Sequence, residues 1–201
     1  GYWETFFFAG QWYPKPAVFE GESGWNCHFF HLNSEFFADF ADYSVTLDVP
    51  ESHVVGATGI LEANRRENGR HIMEFRAQNV HDFAWTAWDH WQVATDRWKH
   101  VELVLLYPPG SEGTVALQFE ALKAGLDGYG ELCGYDYPYD KFTLVDPPRQ
   151  AAGAMGMEYP MLVTGATPSP VLPEGLRISP MVIIHEFGHN YFYGMLASNE
   201  F

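Results

Sequence analysis

The hydrophobic pattern of this 201-residue chain changes its period a little beyond residue 107. Before that point apolar and polar residues alternate, as in segments 43–49 and 71–76, and turn-forming residues separate the alternating segments. A period of two is typical of strands that have one buried and one solvated face. We therefore expect a mostly antiparallel β domain in the first half of the chain, with a further strand at 101–107.

Helical spacing follows this β-type pattern. Apolar side chains recur at helical intervals from 114 to 132, and Gly134 supplies a stop signal. Short strands are predicted at 141–145 and 161–163. The pair Ser179-Pro180 matches an N-cap followed by proline in the first helical position, which predicts a second helix from about 180 to 197.

The predicted fold class is therefore a β domain followed by an α+β domain. We place the boundary between residues 94 and 95. This gives a partial N-terminal antiparallel β domain at 1–94 and a second domain at 95–201.

Composition excludes several classes of protein. With 47% hydrophobic and 17% aromatic residues, the chain can bury a sizeable core, which a disordered segment cannot do. Its 26 acidic and 11 basic residues give a formal charge of -15, which argues against nucleic acid and anionic membrane surfaces as partners. No stretch is long and apolar enough for a membrane segment. Cys27 and Cys133 lack metal-binding spacing and are compatible with one disulfide or with two free thiols.

The second predicted helix contains the sequence His185-Glu186-Phe187-Gly188-His189. Positions i and i+4 lie on one face of a helix, so both imidazoles can reach one ion. Zinc suits this pair because it binds neutral imidazole nitrogen and tolerates an open position for water. Glu186 lies beside that face, where it can act as general base toward a zinc-activated water. We therefore predict His185 and His189 as zinc ligands and Glu186 as the catalytic residue.

The alternative is that two histidines and a glutamate only cap and solvate a helix. The surroundings favour a metal: segments 182–184 and 191–193 make the helix apolar nearly all round, and buried ionisable groups need partners or a metal. Gly188 in mid-helix indicates that another part of the chain packs closely there.

A zinc site of this kind needs a third protein ligand. Glu200 lies eleven positions beyond His189, too far along the helix axis to supply it. We expect the missing ligand beyond Phe201. The abrupt ends of the sequence agree with this, since they are those expected of an internal piece of a longer protein.

A loop of small residues at 153–160 precedes the strand predicted at 161–163. Small residues let the backbone approach a ligand closely, and Glu158 in this loop could hold a cationic group. Taken alone, the loop is more simply interpreted as a surface segment with a solvated glutamate.

Together, the loop and the helix motif resemble a known family. The sequence Gly156-Met157-Glu158-Tyr159-Pro160, with Glu158 27 residues before His185, resembles the gluzincin aminopeptidases, the family of aminopeptidase N and its leukotriene-hydrolase relatives. Segments 80–87 and 136–145 also resemble members of this family, the first of them its bacterial members. Met155 and Tyr159 stand where the family usually has glycine and asparagine, a difference that bears on substrate preference.

The resemblance implies a fold, a cofactor and a substrate. The second domain would be the front part of a thermolysin-like metallopeptidase domain, with one zinc ion per full-length subunit and the third ligand beyond Phe201. The substrate would be a peptide with a free N-terminus, whose α-amino group Glu158 would bind while Gly156 and Met157 place its backbone. The isolated chain is expected to bind zinc weakly and to hydrolyse little.

Other interpretations remain open at this point. A non-catalytic binding domain with a vestigial motif is the main alternative to an aminopeptidase, whereas Glu158 disfavours an endopeptidase of the thermolysin type. A sugar-binding platform could use Trp85, Trp88, Trp91 and Trp98, although aromatic clusters more often form core or domain interface. His28 and His31 could bind a metal, but they lack further ligands at suitable spacing.

Overall fold

A computed structural model of the protein describes residues 1–29, 36–165, 178–196 and 199. Thirteen strands and two α-helices are formed by these described residues. The strands are β1 (Tyr2–Trp3), β2 (Phe6–Ala9), β3 (Val18–Phe19), β4 (Trp25–Asn26), β5 (Ala41–Pro50), β6 (Val54–Ala57), β7 (Ile60–Glu67), β8 (Arg70–Val80), β9 (Trp85–Trp88), β10 (Gln92–Trp98), β11 (Val101–Tyr107), β12 (Lys141–Val145) and β13 (Leu162–Thr164). The helices are α1 (Val115–Cys133) and α2 (Ile178–His189).

The strands before β10 form three antiparallel sheets, as the alternating pattern predicts. Their strand orders are β1-β2-β9-β6, β5-β8-β7 and β3-β4. The β7–β8 hairpin closes with Asn68 and Gly69, both at positive φ, between the paired residues Glu67 and Arg70. Asn-Gly is the pair that a two-residue hairpin turn of this kind requires.

The fourth sheet has the order β10-β11-β12-β13 and mixes two orientations. β10 and β11 are antiparallel, whereas β11, β12 and β13 run parallel to one another. Helix α1 makes the crossover between β11 and β12, and it ends at Gly134 in the left-handed conformation (φ 68°), as predicted. The chain is therefore a β-rich α+β protein with mostly antiparallel strands.

Both faces of the fourth sheet are covered. On one face Leu103, Leu105 and Leu144 pack with α1 and α2 in one apolar cluster. On the other face Leu106 and Val145 join a second cluster that includes side chains of β2 and β9. The predicted boundary between residues 94 and 95 falls inside β10, and the division into two domains stays a prediction.

Helix α2 differs from the expected helix in three ways. It ends at His189 rather than near 197, because the chain forms a turn there: the Gly194 amide donates to the His189 carbonyl at 2.7 Å. Ser179 is buried inside the helix and is not its N-cap, and the residues immediately before Ile178 lie outside the described part. The helix is also not buried all round, since Met181 and His185 are exposed.

The structure also bears on the expectations for the tryptophan cluster and for the two cysteines. Trp88, Trp91 and Trp98 are buried, which agrees with a core role for the tryptophan cluster. Cys27 and Cys133 are free thiols, and both are exposed.

Candidate metal centre

Helix α2 carries the histidines on a well-anchored element. Phe187, between them, is fully buried, and its ring packs against the rings of Phe142 and Tyr137 at centroid distances of 5.1 and 5.5 Å. Because positions 185 and 189 are one turn apart, anchoring Phe187 in the core directs both histidines away from the core. His185 is exposed and His189 half-buried.

The two imidazoles converge on one point. Nε2 of His185 and Nε2 of His189 lie 3.3 Å apart. Two nitrogens bound to one tetrahedral zinc at about 2.0–2.1 Å would lie about 3.4 Å apart. The observed spacing thus fits a shared ion as well as it fits a proton donated from one ring to the other. Imidazole nitrogens with a neighbouring carboxylate form the donor set that zinc accepts.

The carboxylate of Glu186 completes this group. Ligand atoms of His185, Glu186 and His189 all lie within 4.8 Å of one another. Over residues 1–29, 36–165, 178–196 and 199, no other set of three or more histidine, cysteine or acidic side chains is close enough to hold a metal ion. Glu186 itself is buried.

The loop that holds Glu158 reaches this group at Gly156. Gly156 has φ +65°, and a Cβ at this position would lie 3.3 Å from Oε1 of Glu186. Only glycine combines that backbone conformation with so close an approach at little cost. The structure therefore brings the predicted substrate loop against the predicted general base.

The rest of the loop is held by β13. Met157 forms an isolated antiparallel bridge with Thr164. The Met157 amide donates to Oγ1 of Thr164 at 3.0 Å, and the Met157 carbonyl accepts from the Thr164 amide at 2.8 Å. Glu158, the next residue, is half-buried.

Tyr159 joins the loop to the N-terminal strands. Its ring lies 5.8 Å from that of Phe8, and its hydroxyl occupies the space that a side chain at Gly10 would need. Burial, with smaller contributions from the charges of Asp82 and Glu158, raises the pKa of Tyr159 above the ordinary tyrosine value, so its hydroxyl stays protonated. Tyr159 is thus a packing residue at the position where the gluzincin aminopeptidases, which the sequence resembles, usually have asparagine.

Three buried polar residues at this site were not predicted from the sequence. They are Thr58, Thr164 and Asn190, and each bonds to the backbone of the loop or of the turn that follows it. Asn190 carried a usable signal, since it is a lone amide between a histidine and three aromatic residues in an apolar run. Thr58 and Thr164 reach the loop only because of how the strands are arranged in the fold, and no local sequence pattern indicates that arrangement.

Some predicted residues are not brought to this group or lie outside the description. His28 belongs to none of the metal-capable groups among the described residues, and the structure does not describe His31. Glu200 also lies outside the described residues.

In the described part of the chain, no helix is both long and apolar enough to cross a membrane.

The sequence was also compared with known proteins. Neither a scan against models of protein families nor a search of curated proteins finds a match.

Proposed function

We propose that this chain carries most of the active site of a zinc-dependent aminopeptidase, a metallopeptidase that removes N-terminal residues from peptides. The observation that carries the proposal is the contact between Gly156 and Glu186. It unites two motifs that are far apart in sequence, one able to hold a metal and a water, the other ending in a half-buried carboxylate. We also propose that residues 95–201 are the front part of a thermolysin-like domain and that a third ligand lies beyond Phe201.

The histidines and Glu186 would perform the hydrolytic step. His185 and His189 would hold the ion through Nε2. Zinc, when bound, supplies a Lewis acid that polarises the scissile carbonyl and lowers the pKa of water. Glu186 would take a proton from the attacking water and pass it to the leaving amine.

Glu158 would make the reaction exopeptidic. A carboxylate in this loop can pair with the ammonium group of a free N-terminus, and this pairing fixes which peptide bond reaches the metal. The backbone N–H and C=O of Met157 already bond to Thr164, so we expect Met157 to contact substrate with its side chain. The acidic charge of the chain, -15, is compatible with capture of a cationic terminus.

The experiment uses the protein with its chain continued past Phe201. We expect about one zinc per subunit by elemental analysis. A free-amine peptide should be cleaved much faster than its N-acetyl derivative. Glu186→Gln should retain zinc and lower kcat by at least about 100-fold, because it removes the base and leaves the ligands.

Different results would contradict different parts of the proposal. Absence of stoichiometric zinc would favour a non-catalytic binding domain. Equal cleavage of the free and acetylated peptides would remove Glu158 from its assigned role. Full turnover by Glu186→Gln would exclude Glu186 as the base. His185→Ala, which deletes one ligand, is the control that should lose zinc and activity together.

A further inference from the structure

Residues Tyr159–Leu162, directly after Glu158, form a turn with an unusual occupant. The Leu162 amide donates to the Tyr159 carbonyl at 3.1 Å, Pro160 takes the second position, and Met161 takes the third with φ +61°. These are the features of a type II turn, whose third position normally holds glycine or asparagine. A methionine in the left-handed conformation persists only where its surroundings hold it there.

Two buried side chains hold the central peptide of this turn at its two ends. The hydroxyl of Thr58 donates to the Pro160 carbonyl at 2.9 Å. The Met161 amide donates to Oδ1 of Asn190 at 3.1 Å. Thr58 and Asn190 are only 0% and 1% exposed, so water does not compete for either bond.

Asn190 belongs to the end of the metal-binding helix. It follows His189 directly, and its own amide donates to the Phe187 carbonyl at 2.9 Å. Gly194 packs so closely on its backbone that a Cβ at Gly194 would lie 2.9 Å from the Asn190 Cα. The hydroxyl of Tyr137 also donates to Oδ1 at 3.4 Å. Asn190 is therefore held at the C-terminal end of α2.

We infer that Asn190 is a positioning residue, which fixes the Glu158 loop to the C-terminal end of α2 through the Met161 amide. This inference rests on the proposed function. Its consequence is that one buried bond on each side of the 160–161 peptide, acting together with the bonds between Met157 and Thr164, sets the spacing between the Glu158 carboxylate and the two histidines. That spacing determines whether a bound ammonium group places the scissile carbonyl at the metal.

A purely structural role for Asn190 makes a different prediction. If Oδ1 only satisfied a buried amide, its loss would lower stability and would affect free and acetylated peptides alike. A positioning role changes the ratio of kcat/KM for the two peptides, since only the free amine uses Glu158. The ratio separates the two roles, and an observable at Met161 itself shows whether the bond to Asn190 is present.

The first measurement is amide hydrogen exchange of Met161 by NMR in the metal-free protein. We compare wild type with Asn190→Leu, which keeps the shape and removes the acceptor, and with Asn190→Asp, which keeps an acceptor oxygen. Exchange at Met161 should be about tenfold faster in Asn190→Leu than in wild type. It should stay near the wild-type rate in Asn190→Asp.

The second measurement is the ratio of kcat/KM for free over N-acetyl peptide in the zinc-loaded protein continued past Phe201. The ratio should fall about tenfold or more in Asn190→Leu at unchanged zinc content, and Asn190→Asp should restore most of it. Gln118→Leu is the matched control, since Gln118 is a buried amide on α1 whose bonds are to Thr114 and Asp146, neither of which belongs to the loop. It should leave the ratio unchanged.

An unchanged ratio in folded Asn190→Leu, or an equal fall in Gln118→Leu, would overturn the inference. If Asn190→Leu does not fold, Thr58→Val decides the matter, because it releases the other end of the same peptide and should lower the ratio in the same direction. A wild-type protein that lacks zinc, or cleaves both peptides equally, would instead refute the proposed function, and the exchange measurement would still report on the Met161 bond.

Discussion

At the scale of single residues, His81 is a buried imidazole that the fold keeps neutral. It is 2% exposed, and its ring packs against those of Tyr193 and Phe40 at centroid distances of 4.2 and 5.8 Å. Neither ring nitrogen has a hydrogen-bond partner in the described part of the chain. Burial is the main reason that the pKa of His81 falls from 6.5 to about 4, with Asp82 opposing the fall and Lys15 adding to it.

This lowered pKa predicts a pH-dependent stability. Between pH 6.5 and 4 the unfolded chain binds a proton at His81 that the folded chain does not, so the free energy of unfolding decreases as the pH falls through this window. From pH 7.5 to 5 we expect His81 alone to lower it by about 2 kcal/mol. His81→Phe keeps a ring of similar size and should remove that part of the pH dependence.

Urea denaturation of both proteins at pH 7.5 and pH 5 measures the difference. The variant should lose less stability than wild type on acidification. An identical loss in the two proteins would show that His81 titrates in the folded state much as it does in the unfolded state.

At the scale of elements, α1 and α2 pack through reciprocal glycines. Gly188 of α2 lies against Tyr129 of α1, where a Cβ would lie only 2.7 Å from Cζ of the ring. Gly125 of α1 lies against Phe187 of α2 in the same way, at 3.0 Å from Cδ1. Each helix thus supplies a space for an aromatic ring of the other, which brings α2, the helix that carries His185 and His189, close to α1.

From the close packing of Gly188 against Tyr129 we predict opposite effects for two glycine-to-alanine changes. Alanine normally stabilises a helix interior by about 1 kcal/mol over glycine. Gly188→Ala should instead destabilise the protein by about 1–3 kcal/mol, because the new methyl group overlaps Tyr129. Gly128→Ala is the matched control in α1, since no atom of the described residues outside the helix's own backbone is found within 4 Å of a Cβ there, and it should be stabilising.

Thermal or urea unfolding of the two variants measures both effects. A stabilising Gly188→Ala would mean that Tyr129 moves away without loss. In a Tyr129→Ala background the penalty at Gly188 should largely disappear, because the ring that the methyl group meets is gone.

The elements also show where sequence patterns suffice. Strand alternation, the stop at Gly134 and the close packing at Gly188 are local signals, and each of these predictions is confirmed. The predicted end of α2 was wrong because the apolar run at 191–193 continues the helical pattern, while the chain in fact forms a turn with bonds from the Asn190 and Gly194 amides. The period of the apolar residues does not show where a helix gives way to such a turn.

Some features of the candidate site could likewise be predicted from local sequence patterns, and others could not. The spacing of His185 and His189 follows from helix geometry alone and could be predicted. The contact of Gly156 with Glu186, and the bonds from Thr58 and Asn190 to the turn, depend on which elements meet in three dimensions. No pattern of residues adjacent in sequence predicts these contacts between distant elements.

At the scale of the whole molecule, the fourth sheet lies between two layers. The helices α1 and α2 cover one face, and the sheet that contains β2 and β9 covers the other with Phe6, Phe8 and Trp88. Where the layers meet, a Cβ at Gly56 in β6 would overlap Leu106 in β11. A division of the chain near residue 94 therefore separates surfaces that are packed against each other.

This arrangement predicts that the second half of the chain does not fold alone. A protein consisting of residues 92–201 would expose Leu106, Val145 and Leu162, all of which are at most 1% exposed in the whole chain. Burying a leucine or valine side chain contributes about 1.5–3 kcal/mol, so losing the cover of three such residues removes an amount comparable with the whole stability of a domain. We expect the shortened protein to bind the dye ANS, to lack near-UV circular dichroism and to unfold without cooperativity.

The comparison is made with residues 1–201 under the same conditions. A cooperative transition in the shortened protein, at a urea midpoint close to that of the longer chain, would contradict the prediction and would establish 92–201 as an independent domain. If the prediction holds, the packing of Tyr159 against Phe8 and the bond from Thr58 to Pro160 acquire a further meaning. The N-terminal sheets would then be required both for the folding of the second half and for holding the Glu158 loop against α2.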